Sequence, residues 1–516
     1  MITTTRPATP TVVRIDRDRE HTFGLAGTAV TGLARALTTT VVTAVHAPRL
    51  AGLATCTTAL VWLACTGRPL ATALVLGVVT AVVAVVWWRR PLLVRRAGSR
   101  LVGEWLRVVV YRPRWTTACL AAATTQKVGS TVHLPVLARH EHTPTGRDVL
   151  TVRMAPGQTL TTWQGAAASL ASTFTAHRVT ARAASRPGWV VLDVLRRDPL
   201  AGEITATDPA RLPRTGPVVL GVDEHGHPLT LDPYSTPHAA LQGATRSGKS
   251  STCYTLLAAL AHRDDVTVCG IDPSGLLLDP FTHGRGSSFI ATGTRPDDLD
   301  RCAQVLADLV DLMDDRVRDL RAAGVDKLTD YTPMVPAVWV VLEEYPGLIT
   351  AARALDAERG SKPGQRLAPR VESLVGRLVK EGAKVGVLVL ALAQRMSADA
   401  MKTDDRSNLG MRVTHRVDNN DAVAMLHEGL PREQVAAVRV FAPGVALAES
   451  PGVPVRRVRM HYTSYTVYRA RVAAGLARTT TTGAPSLGAD VTTSVVTLPA
   501  TTVTAPMPAA DGQDAA

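Results

Sequence analysis

The apolar residues of the chain are concentrated in a block near its start. Residues 50–66 and 69–88 form two apolar stretches without an internal charge, and only Gly67 and Arg68 separate them. Each stretch is close to the ~20 residues that a helix needs to cross a hydrocarbon layer of ~30 Å. The pattern therefore predicts two transmembrane helices that form a hairpin, with a buried hairpin of a soluble domain as the alternative.

Charged residues on both sides of this block predict its orientation. Arg35 and Arg49 precede the first stretch, and Glu104 is the only acidic residue among the arginines that follow the second, namely Arg89, Arg90, Arg95, Arg96, Arg100, Arg107, Arg112 and Arg114. Because the cytoplasmic flanks of membrane helices carry an excess of Arg and Lys, we expect both ends of the hairpin in the cytoplasm. The chain would then be a multi-pass protein of the cell membrane.

The segment before the hairpin, residues 1–49, would also be cytoplasmic. Within it, residues 23–45 are moderately apolar but contain Arg35 and frequent threonines. This composition is typical of an amphipathic helix that lies on the membrane, and equally of a helix that packs before the hairpin.

Short strand-like runs and one helical pattern follow the hairpin. Residues 149–154 and 189–195 have the apolar, β-branched character of strands, whereas residues 159–175 carry apolar side chains at helical spacing. We expect a basic juxtamembrane region and a small α+β linker domain over residues 89–211. No residues in this region have catalytic spacing.

Buried strands of the parallel type dominate the next part of the chain. Residues 238–242, 266–272, 337–342 and 385–393 are almost continuously apolar, as in a sheet that helices cover on both faces. Longer helical patterns lie between them. The alternation predicts an α/β domain, which we place at residues 212–478.

A phosphate-binding loop follows the first of these strands. The motif G-x-x-x-x-G-K-[ST] is matched at every fixed position by Gly243, Ala244, Thr245, Arg246, Ser247, Gly248, Lys249 and Ser250. The glycines let successive N–H groups point at the β-phosphate, and the helix that follows adds its positive N-terminal dipole. Lys249 would bridge the β- and γ-phosphates, and the Ser250 hydroxyl would hold Mg²⁺. The domain is thus predicted to be a P-loop NTPase that uses ATP and Mg²⁺.

Polar residues at the ends of the other strands complete the predicted site. Glu343 and Glu344 follow the strand at 337–342; Glu343 is the expected metal-side carboxylate and Glu344 the expected general base. Asp272 and Gln394 end two further strands. Because the carboxyl ends of parallel strands collect ligand-contacting groups, Gln394 would sense the γ-phosphate or order the attacking water, with a plain surface amide as the alternative.

Composition adds two constraints. The formal net charge of +13 favours a polyanionic partner, either nucleic acid or the anionic face of a membrane, and charge alone does not choose between them. The six cysteines are scattered, without a pair or a Cys/His cluster at metal spacing, which indicates reduced thiols and no structural zinc. The end of the chain, residues 479–516, is rich in Thr, Ala and Pro and is expected to be disordered.

Several segments resemble the motor domain of FtsK/SpoIIIE-type DNA translocases, from about residue 212 to residue 449. Besides the phosphate-binding loop, the segments that carry the resemblance are 271–273, 309–316, 342–344, 381–387, 390–395 and 408–413. The resemblance implies a RecA-like motor that forms a homohexameric ring, with double-stranded DNA in the pore and ATP at the subunit interfaces. It also makes Arg412, or else Arg395, the expected arginine that reaches the γ-phosphate of a neighbouring subunit.

The chain departs from that family pattern in three places. Glu343 stands where the family usually has Asp, and Arg246 replaces a common glycine. The residues after 449 do not resemble the winged-helix module that reads DNA sequence in some family members. A basic patch lies there instead, expected to contact phosphates, formed by Arg456, Arg457 and Arg459. In the linker, Arg178, Arg182 and Arg186 are weaker candidates, since a solvated face is the better explanation for them.

With one ATPase cassette and a two-span anchor, the chain resembles the plasmid-transfer translocases of mycelial, high-GC actinomycetes. We therefore expect a membrane-anchored, ATP-driven translocase of double-stranded DNA that acts in conjugative plasmid transfer or chromosome segregation. Two alternatives stay open. One is an FtsK-like ATPase of a protein-secretion system, and the other is a non-catalytic membrane protein that couples to DNA without pumping it.

Overall fold

The computed structural model describes residues 91–480 except 129, 144–145 and 397–400, together with the isolated helical positions 58, 76, 80 and 85. The chain divides into two compact units between Arg197 and Asp198. The predicted boundary at residues 211 and 212 therefore falls inside the second unit. The reason is that residues 204 and 205 pair with a strand that reaches residue 462.

None of the helices in the described part of the chain is long and apolar enough to span a membrane. Apart from the four isolated positions, the predicted hairpin at 50–66 and 69–88 lies outside the described residues, as does the predicted helix at 23–45. The tail from 481 onward lies outside them too. Residues 479 and 480 are predicted to belong to the disordered tail but instead end the last helix of the second unit.

The first unit contains the α+β elements expected of the linker. Its helices are α1 (Pro91–Leu106), a π-helical turn (Arg107–Tyr111), α2 (Arg112–Ala121) and α3 (Leu160–Thr173). Its strands are β1 (Gln126–Val128), β2 (Thr131–His133), β3 (Val136–His142), β4 (Arg147–Arg153), β5 (Arg178–Ala183) and β6 (Trp189–Leu195). β3, β4, β6 and β5 form an antiparallel sheet in that order. The three elements predicted from the sequence correspond to β4, α3 and β6.

The second unit is built on a mixed sheet of eleven strands within the described residues. They are β7 (Ile204–Thr205), β8 (Val218–Asp223), β9 (Pro228–Leu231), β10 (Ala239–Gln242), β11 (Val266–Asp272), β12 (Ile290–Thr292), β13 (Ala337–Leu342), β14 (Val387–Ala393), β15 (Met411–His415), β16 (Val445–Ser450) and β17 (Val453–Tyr462). The helices are α4 (Lys249–Leu260), α5 (Pro296–Ala323), α6 (Tyr345–Glu358), α7 (Leu367–Glu381), α8 (Thr403–Ser407), α9 (Asn420–Leu426), α10 (Arg432–Ala437) and α11 (Tyr465–Thr480).

The order of the strands decides which residues meet. β12, β11, β13, β14, β10 and β15 are parallel neighbours in that order, and β16, β17, β8 and β9 continue the sheet antiparallel. Every residue of β10, β11, β13 and β14 is buried, because helices cover both faces. The predicted α/β fold of a P-loop NTPase is thus confirmed, and β14 lies between the P-loop strand and the strand that precedes Glu343.

Local signals explain where the longest helix begins and ends. Pro296 stands at the first position of α5, where a backbone N–H would have no partner within the helix, so that the missing N–H of proline costs no hydrogen bond. The negative charges of Asp297 and Asp298 complement the positive helix N-terminus. It stops at Gly324, whose φ of +68° is the left-handed conformation that glycine adopts without a Cβ clash. The apolar face of α5 packs with α6 and α7 against one side of the sheet, whereas α4 and α11 cover the other side.

A buried histidine beside β10 predicts a loss of stability in acid. His238 is fully buried, and its Nδ1 accepts a hydrogen bond from the Val389 N–H at 3.0 Å. Burial lowers its pKa to about 4. The unfolded chain binds this proton near pH 6.5 and the folded chain does not. The free energy of unfolding should therefore fall by about 3 kcal/mol as the pH drops from about 6.5 to about 4.

The variant His238→Asn tests this expectation, because its amide oxygen can accept the same hydrogen bond and does not titrate. Denaturant unfolding at several pH values should show a weaker pH dependence for this variant than for the wild type. The exposed His283 provides the matched substitution His283→Asn. Equal pH dependence in all three proteins would contradict the assignment.

Candidate nucleotide-binding site

Close packing at two positions requires the glycines of the phosphate-binding loop. A Cβ on Gly243 would lie 2.5 Å from Ser247 Oγ and 2.7 Å from His415 Cβ. Gly248 has a φ of +111°, and a Cβ there would lie 2.8 Å from the Gly444 nitrogen. The loop then leads directly into α4, whose first N–H groups have no partner within the helix. Tightly packed glycines that lead into a helix N-terminus are the features of an anion-binding loop.

Arg246 occupies a left-handed backbone conformation in this loop, with a φ of +61°. Such a φ costs a residue with a Cβ about 1–2 kcal/mol, whereas glycine adopts it freely but loses about 0.5–1 kcal/mol of backbone entropy. We expect Arg246→Gly to raise the free energy of unfolding by about 0.5–1 kcal/mol.

Denaturant unfolding measures this change. The control is Arg395→Gly, which replaces an exposed arginine whose φ is not positive and should therefore destabilise slightly. A loss of stability in Arg246→Gly would show that contacts of the Arg246 side chain stabilise the folded state by more than its left-handed backbone conformation destabilises it.

Three predicted site residues meet at the carboxyl edge of the sheet. Lys249 Nζ lies 3.3 Å from Glu344 Oε2, and the Gln394 N–H donates to both oxygens of the Glu344 carboxylate at 3.3 and 3.2 Å. Glu344 itself has a φ of +47°, a strained conformation for a residue with a side chain. Backbone strain of this kind is concentrated at active sites. The order of β13, β14 and β10 is what brings these three residues together.

Glu343 points to a different part of the cleft. Its Oε2 lies 3.0 Å from Ser274 Oγ, within hydrogen-bond distance. Burial, a hydrogen bond to Asp272 and the charge of Asp272 raise the pKa of Glu343 to about 8. The two carboxyl groups therefore share a proton when no cation is near, and a cation beside Glu343 would favour its charged form.

Asp272 has a structural role that the sequence did not indicate. Its carboxylate is fully buried and accepts hydrogen bonds from the backbone of its own loop, at Leu277 (2.7 Å) and Leu278 (2.9 Å), and from Ser274 Oγ (2.7 Å). Burial alone would raise the pKa of Asp272. Hydrogen bonds from Glu343 and from this loop outweigh that effect and hold the pKa below its usual range. Asp272 thus shapes the loop that carries Ser274 and does not line the cleft.

The two arginines expected to act on a neighbouring subunit differ in their surroundings. Arg412 lies near the amino end of β15, and its two terminal nitrogens donate to the carbonyl oxygens of Leu426 (3.1 Å) and Arg406 (3.0 Å). Only 19% of its side chain is exposed. Arg395 is exposed and follows Gln394 directly. The contacts of Arg412 are those of a structural residue, so its predicted role in trans stays a prediction.

The predicted basic patch near the end of the domain is largely neutralised. Arg456 Nη1 lies 2.6 Å from Asp223 Oδ2, and Arg457 Nη2 lies 2.7 Å from Glu224 Oε2. Arg459 is buried and donates to the carbonyl oxygens of Leu200 and Pro443. In the first unit, Arg182 pairs with Asp193, and Arg186 lies over the ring of Trp189. Two of the three arginines thus have acidic partners and the third has carbonyl partners, and the interpretation of residues 456–459 as a phosphate-binding patch stays a prediction.

The cleft extends well beyond the predicted residues. Its volume is about 830 Å³, and Lys249, Ser250, Glu343, Glu344 and Gln394 all line it. The sequence did not indicate the residues that line its other parts, namely Glu203, Tyr254, Ser274, Thr294, Pro443, Gly444, Arg459, Met460, His461, Tyr462, Thr463, Ser464 and Tyr465. Tyr254 was detectable in principle, since it lies on the helix that follows the loop. The others come from distant segments without a motif.

The residues of the cleft fit ATP with Mg²⁺. Its volume is in the usual range of about 300–1,000 Å³ for a site that encloses a small molecule. Mg²⁺ prefers oxygen ligands and is usually held by one or two protein groups together with phosphates, and Ser250 and Glu343 supply such oxygens. No group of three or more His, Cys, Asp or Glu placed to hold a metal occurs among the described residues. Two oxygen donors of this kind would suffice for Mg²⁺ if the phosphates of a nucleotide supplied further ligands.

Comparison with known proteins gives a consistent assignment. Residues 203–444 match the model of the FtsK/SpoIIIE family. The chain is 25% identical over 238 residues to the DNA translocase FtsK of Haemophilus influenzae, covering 42% of this chain and 44% of the relative. It is 28% identical over 231 residues to the DNA translocase FtsK of Mycobacterium tuberculosis, covering 42% of this chain and 26% of the relative.

Among solved structures, the pCW3 conjugation coupling protein TcpA, in a monomer form with ATPγS, aligns with 70% of this chain and 98% of its own, at 17% identity and a TM-score of 0.44. The chain spans less than half of the length of the two translocases above. The match to the family model includes the phosphate-binding loop, Glu343, Glu344 and Gln394. Residues 203–444, slightly less than half of this chain, are therefore similar to the FtsK/SpoIIIE family.

Proposed function

We propose that the chain is an ATP-driven translocase of double-stranded DNA that is anchored in a membrane. The observation that carries this proposal is the contact of Lys249 with Glu344 and of Glu344 with the Gln394 N–H, inside the region that is similar to the FtsK/SpoIIIE family. ATP hydrolysis needs a cation that binds the phosphates, a carboxylate that orients water and a polar group near the γ-phosphate. Lys249, Glu344 and Gln394 are groups of these three kinds.

Each residue then has a defined task in hydrolysis. ATP with Mg²⁺ supplies the phosphoanhydride bond and the charge of the metal. The loop backbone and Lys249 would bind the β- and γ-phosphates, while Ser250 and Glu343 would hold the metal. In the present structure Lys249 pairs with Glu344. Once Lys249 turned to the phosphates, the Glu344 carboxylate would be free to orient a water and accept its proton. The side chain of Gln394, which lines the same cleft, would sense the γ-phosphate.

A second basic surface replaces the neutralised patch as the proposed DNA contact. Lys362, Arg366 and Arg370 are exposed in the connection between α6 and α7 and at the start of α7. Within the described residues, none of the three forms an ion pair, although Arg366 Nε donates to the Ser361 carbonyl oxygen at 3.4 Å. When cations of this kind neutralise phosphates, the counterions that were condensed on the DNA are released into solution, which favours binding.

Reversing these three charges should therefore weaken duplex binding without affecting nucleotide hydrolysis itself. For the combined variant Lys362→Glu, Arg366→Glu and Arg370→Glu, we expect duplex affinity to fall at least about tenfold, and the slope of log K against log salt to decrease by about three. Fluorescence anisotropy with a labelled duplex measures both. The same reversal at three other exposed cations, Arg321, Lys327 and Lys384, controls for net charge, and an equal loss in this control would contradict the assignment.

The membrane anchor is proposed from the two apolar stretches at 50–66 and 69–88 and from the arginines that follow them. Leu76 and Val85, at two of the described positions in the second stretch, are helical and more than half exposed. Deleting residues 50–88 should move the chain from the membrane fraction to the soluble one. A deletion variant that stays in a carbonate-washed membrane pellet would contradict the anchor.

The homohexameric ring with DNA in its pore and the role in plasmid transfer or chromosome segregation are proposed from the family resemblance. Analytical ultracentrifugation of the detergent-solubilised chain with ATPγS and a duplex tests the ring. A single species of six subunits supports it, whereas a monomer under saturating ligand contradicts it.

The central experiment is an ATPase assay of the full-length chain in nanodiscs, with and without duplex DNA, followed by a triplex-displacement assay. Stimulation by duplex together with displacement of the third strand is the expected result. Hydrolysis that duplex DNA leaves unchanged would favour the ATPase of a protein-secretion system. Nucleotide and DNA binding without hydrolysis would favour a non-catalytic coupling protein.

A further inference from the structure

Gln242 carries a buried amide directly before the phosphate-binding loop. It is the last residue of β10, and its side chain is fully buried. Its Oε1 accepts a hydrogen bond from the Met396 N–H at 3.0 Å, and its Nε2 donates to Thr414 Oγ1 at 3.0 Å and to the Ala422 carbonyl oxygen at 2.6 Å. Both amide hydrogens and the carbonyl oxygen are therefore engaged, although the three preceding residues of β10 are apolar.

The bond to Met396 reaches the turn that carries Gln394. Met396 is buried and lies two residues after Gln394, at the point where the chain leaves β14. The Gln394 N–H is held by the Glu344 carboxylate, and the Met396 N–H is held by Gln242. The turn is thus attached at two points, one on the catalytic carboxylate and one on the strand that leads into the loop around Lys249.

The hydrogen bonds continue from Gln242 to the surface. Thr414 Oγ1 lies 2.9 Å from His427 Nε2, and His427 Nδ1 lies 3.0 Å from Glu449 Oε2. Because Thr414 already accepts a hydrogen bond from Gln242, its own hydrogen can be donated to Nε2, and the Nδ1–H of His427 then donates to Glu449. Gln242, Thr414, His427 and Glu449 thus form a continuous series of hydrogen bonds, here called the relay. This pattern gives every polar atom of the relay a partner. The Glu449 side chain, 31% exposed, is where the relay ends.

A buried polar chain of this kind has to be explained, because an apolar side chain of similar volume would fill the same space without needing partners. A fully satisfied network fixes geometry where packing alone permits small displacements. The partner of Oε1 is a backbone N–H in the turn after β14 and not one of the ladder bonds between strands. The network therefore constrains that turn specifically.

We propose that Gln242 is a positioning residue for hydrolysis: it holds the turn 394–396 so that Gln394 meets Glu344 and the γ-phosphate, and the relay through Thr414 and His427 to Glu449 fixes the orientation of its amide. This inference rests on the proposed ATPase function. Gln242 does not touch the cleft, so it acts through the turn. A displacement of about 1 Å in a catalytic group is enough to lower turnover by about 10²-fold.

A double-mutant cycle tests the proposal on the full-length chain. Gln242→Leu should lower kcat by about 10- to 100-fold and change the Kd for a fluorescent ATP analogue by less than about 3-fold, because the phosphate-binding loop is retained. In the Gln394→Ala background, the same substitution should lower kcat by a clearly smaller factor, because the side chain that would meet the γ-phosphate is already gone and only the N–H that contacts Glu344 remains to be positioned. Thr414→Val breaks the relay one bond away from the turn and leaves the Met396 bond in place, so its effect on kcat should be smaller than that of Gln242→Leu.

Equal losses of kcat from Gln242→Leu in both backgrounds would overturn the proposal, as would unchanged turnover in Gln394→Ala. Hydrogen exchange measured by mass spectrometry gives a readout that does not depend on catalysis. The peptide that contains residues 394–396 should exchange faster in Gln242→Leu, and unchanged exchange would overturn the positioning contact. Wild-type protein that hydrolyses no ATP would refute the proposed function, while the exchange experiment would still decide whether Gln242 holds the turn.

Discussion

Glu344→Gln is expected to lower ATP turnover by about 10²–10⁴-fold while ATP binding stays intact, because a general base contributes about this much to a proton-transfer step. The substituted amide has the same size as the carboxylate and keeps an oxygen to accept the Gln394 N–H, now 3.2 Å from Oε2. It cannot accept a proton from water. Only the chemical step should therefore be affected.

Phosphate release gives kcat, and titration with a fluorescent ATP analogue gives Kd. The matched control is Glu358→Gln, which makes the same chemical change at an exposed position at the end of α6 and should leave both quantities unchanged. If Glu344→Gln turned over ATP at the wild-type rate, the base would have to be another group, and Glu343 and Glu203 are the other carboxyl groups that line the cleft.

Lys249→Ala is expected to abolish both binding and turnover, with kcat reduced by at least about 10²–10³-fold, the usual loss when one charge-stabilising group is removed from a reacting centre. Lys249 begins α4, and its side chain is 14% exposed. Among the residues that the structure describes, its ammonium is the one positive charge within ion-pair distance of the Glu344 carboxylate. Removing it takes away the charge that would bridge the β- and γ-phosphates and leaves Glu344 without an ion-pair partner.

The same two assays measure this variant. Lys327→Ala, at an exposed position after α5, is the control for the loss of one lysine and should behave as wild type. Normal affinity for the ATP analogue in Lys249→Ala would show that the loop backbone alone binds the nucleotide. The two variants therefore have different signatures: Glu344→Gln binds without hydrolysis, and Lys249→Ala does neither. Glu344→Gln would also accumulate the ATP-bound state, which makes it suitable for testing duplex binding.

The residues of the site were predictable to different extents. The phosphate-binding loop is contiguous, so its requirements are local: glycine at 243, where a Cβ would clash, and glycine at 248, where φ is positive. Glu343 and Glu344 were predictable because they end a strand that is apolar throughout. In contrast, Asp272 ends an equally apolar strand, and its carboxylate binds its own loop. Position at a strand end indicates proximity to the cleft and does not reveal whether the side chain has already found partners.

Charge patterns were the least reliable guide. Arg456, Arg457 and Arg459 form a basic run in the sequence, but Asp223 and Glu224 lie beside the first two because β8 pairs with β17. Those acidic residues are more than two hundred positions away in the sequence. The connection around Lys362 has fewer adjacent cations, yet they remain exposed. Whether a cationic side chain is available to bind phosphates therefore depends on which strand packs beside it in the folded protein.

The sequence by itself determined the elements whose cause is local, namely the buried parallel strands, the helix after the loop and the conformation of the loop from Gly243 to Ser250. Backbone sterics and the periodicity of apolar side chains act within a few residues, so they can be recognised without the fold. Only the tertiary structure decided that β14 lies between β10 and β13, that Gln394 thereby meets Glu344, and that Gln242 reaches Met396. Strand order follows from how helices pack on both faces of the sheet at once, and no short segment of the sequence records that choice.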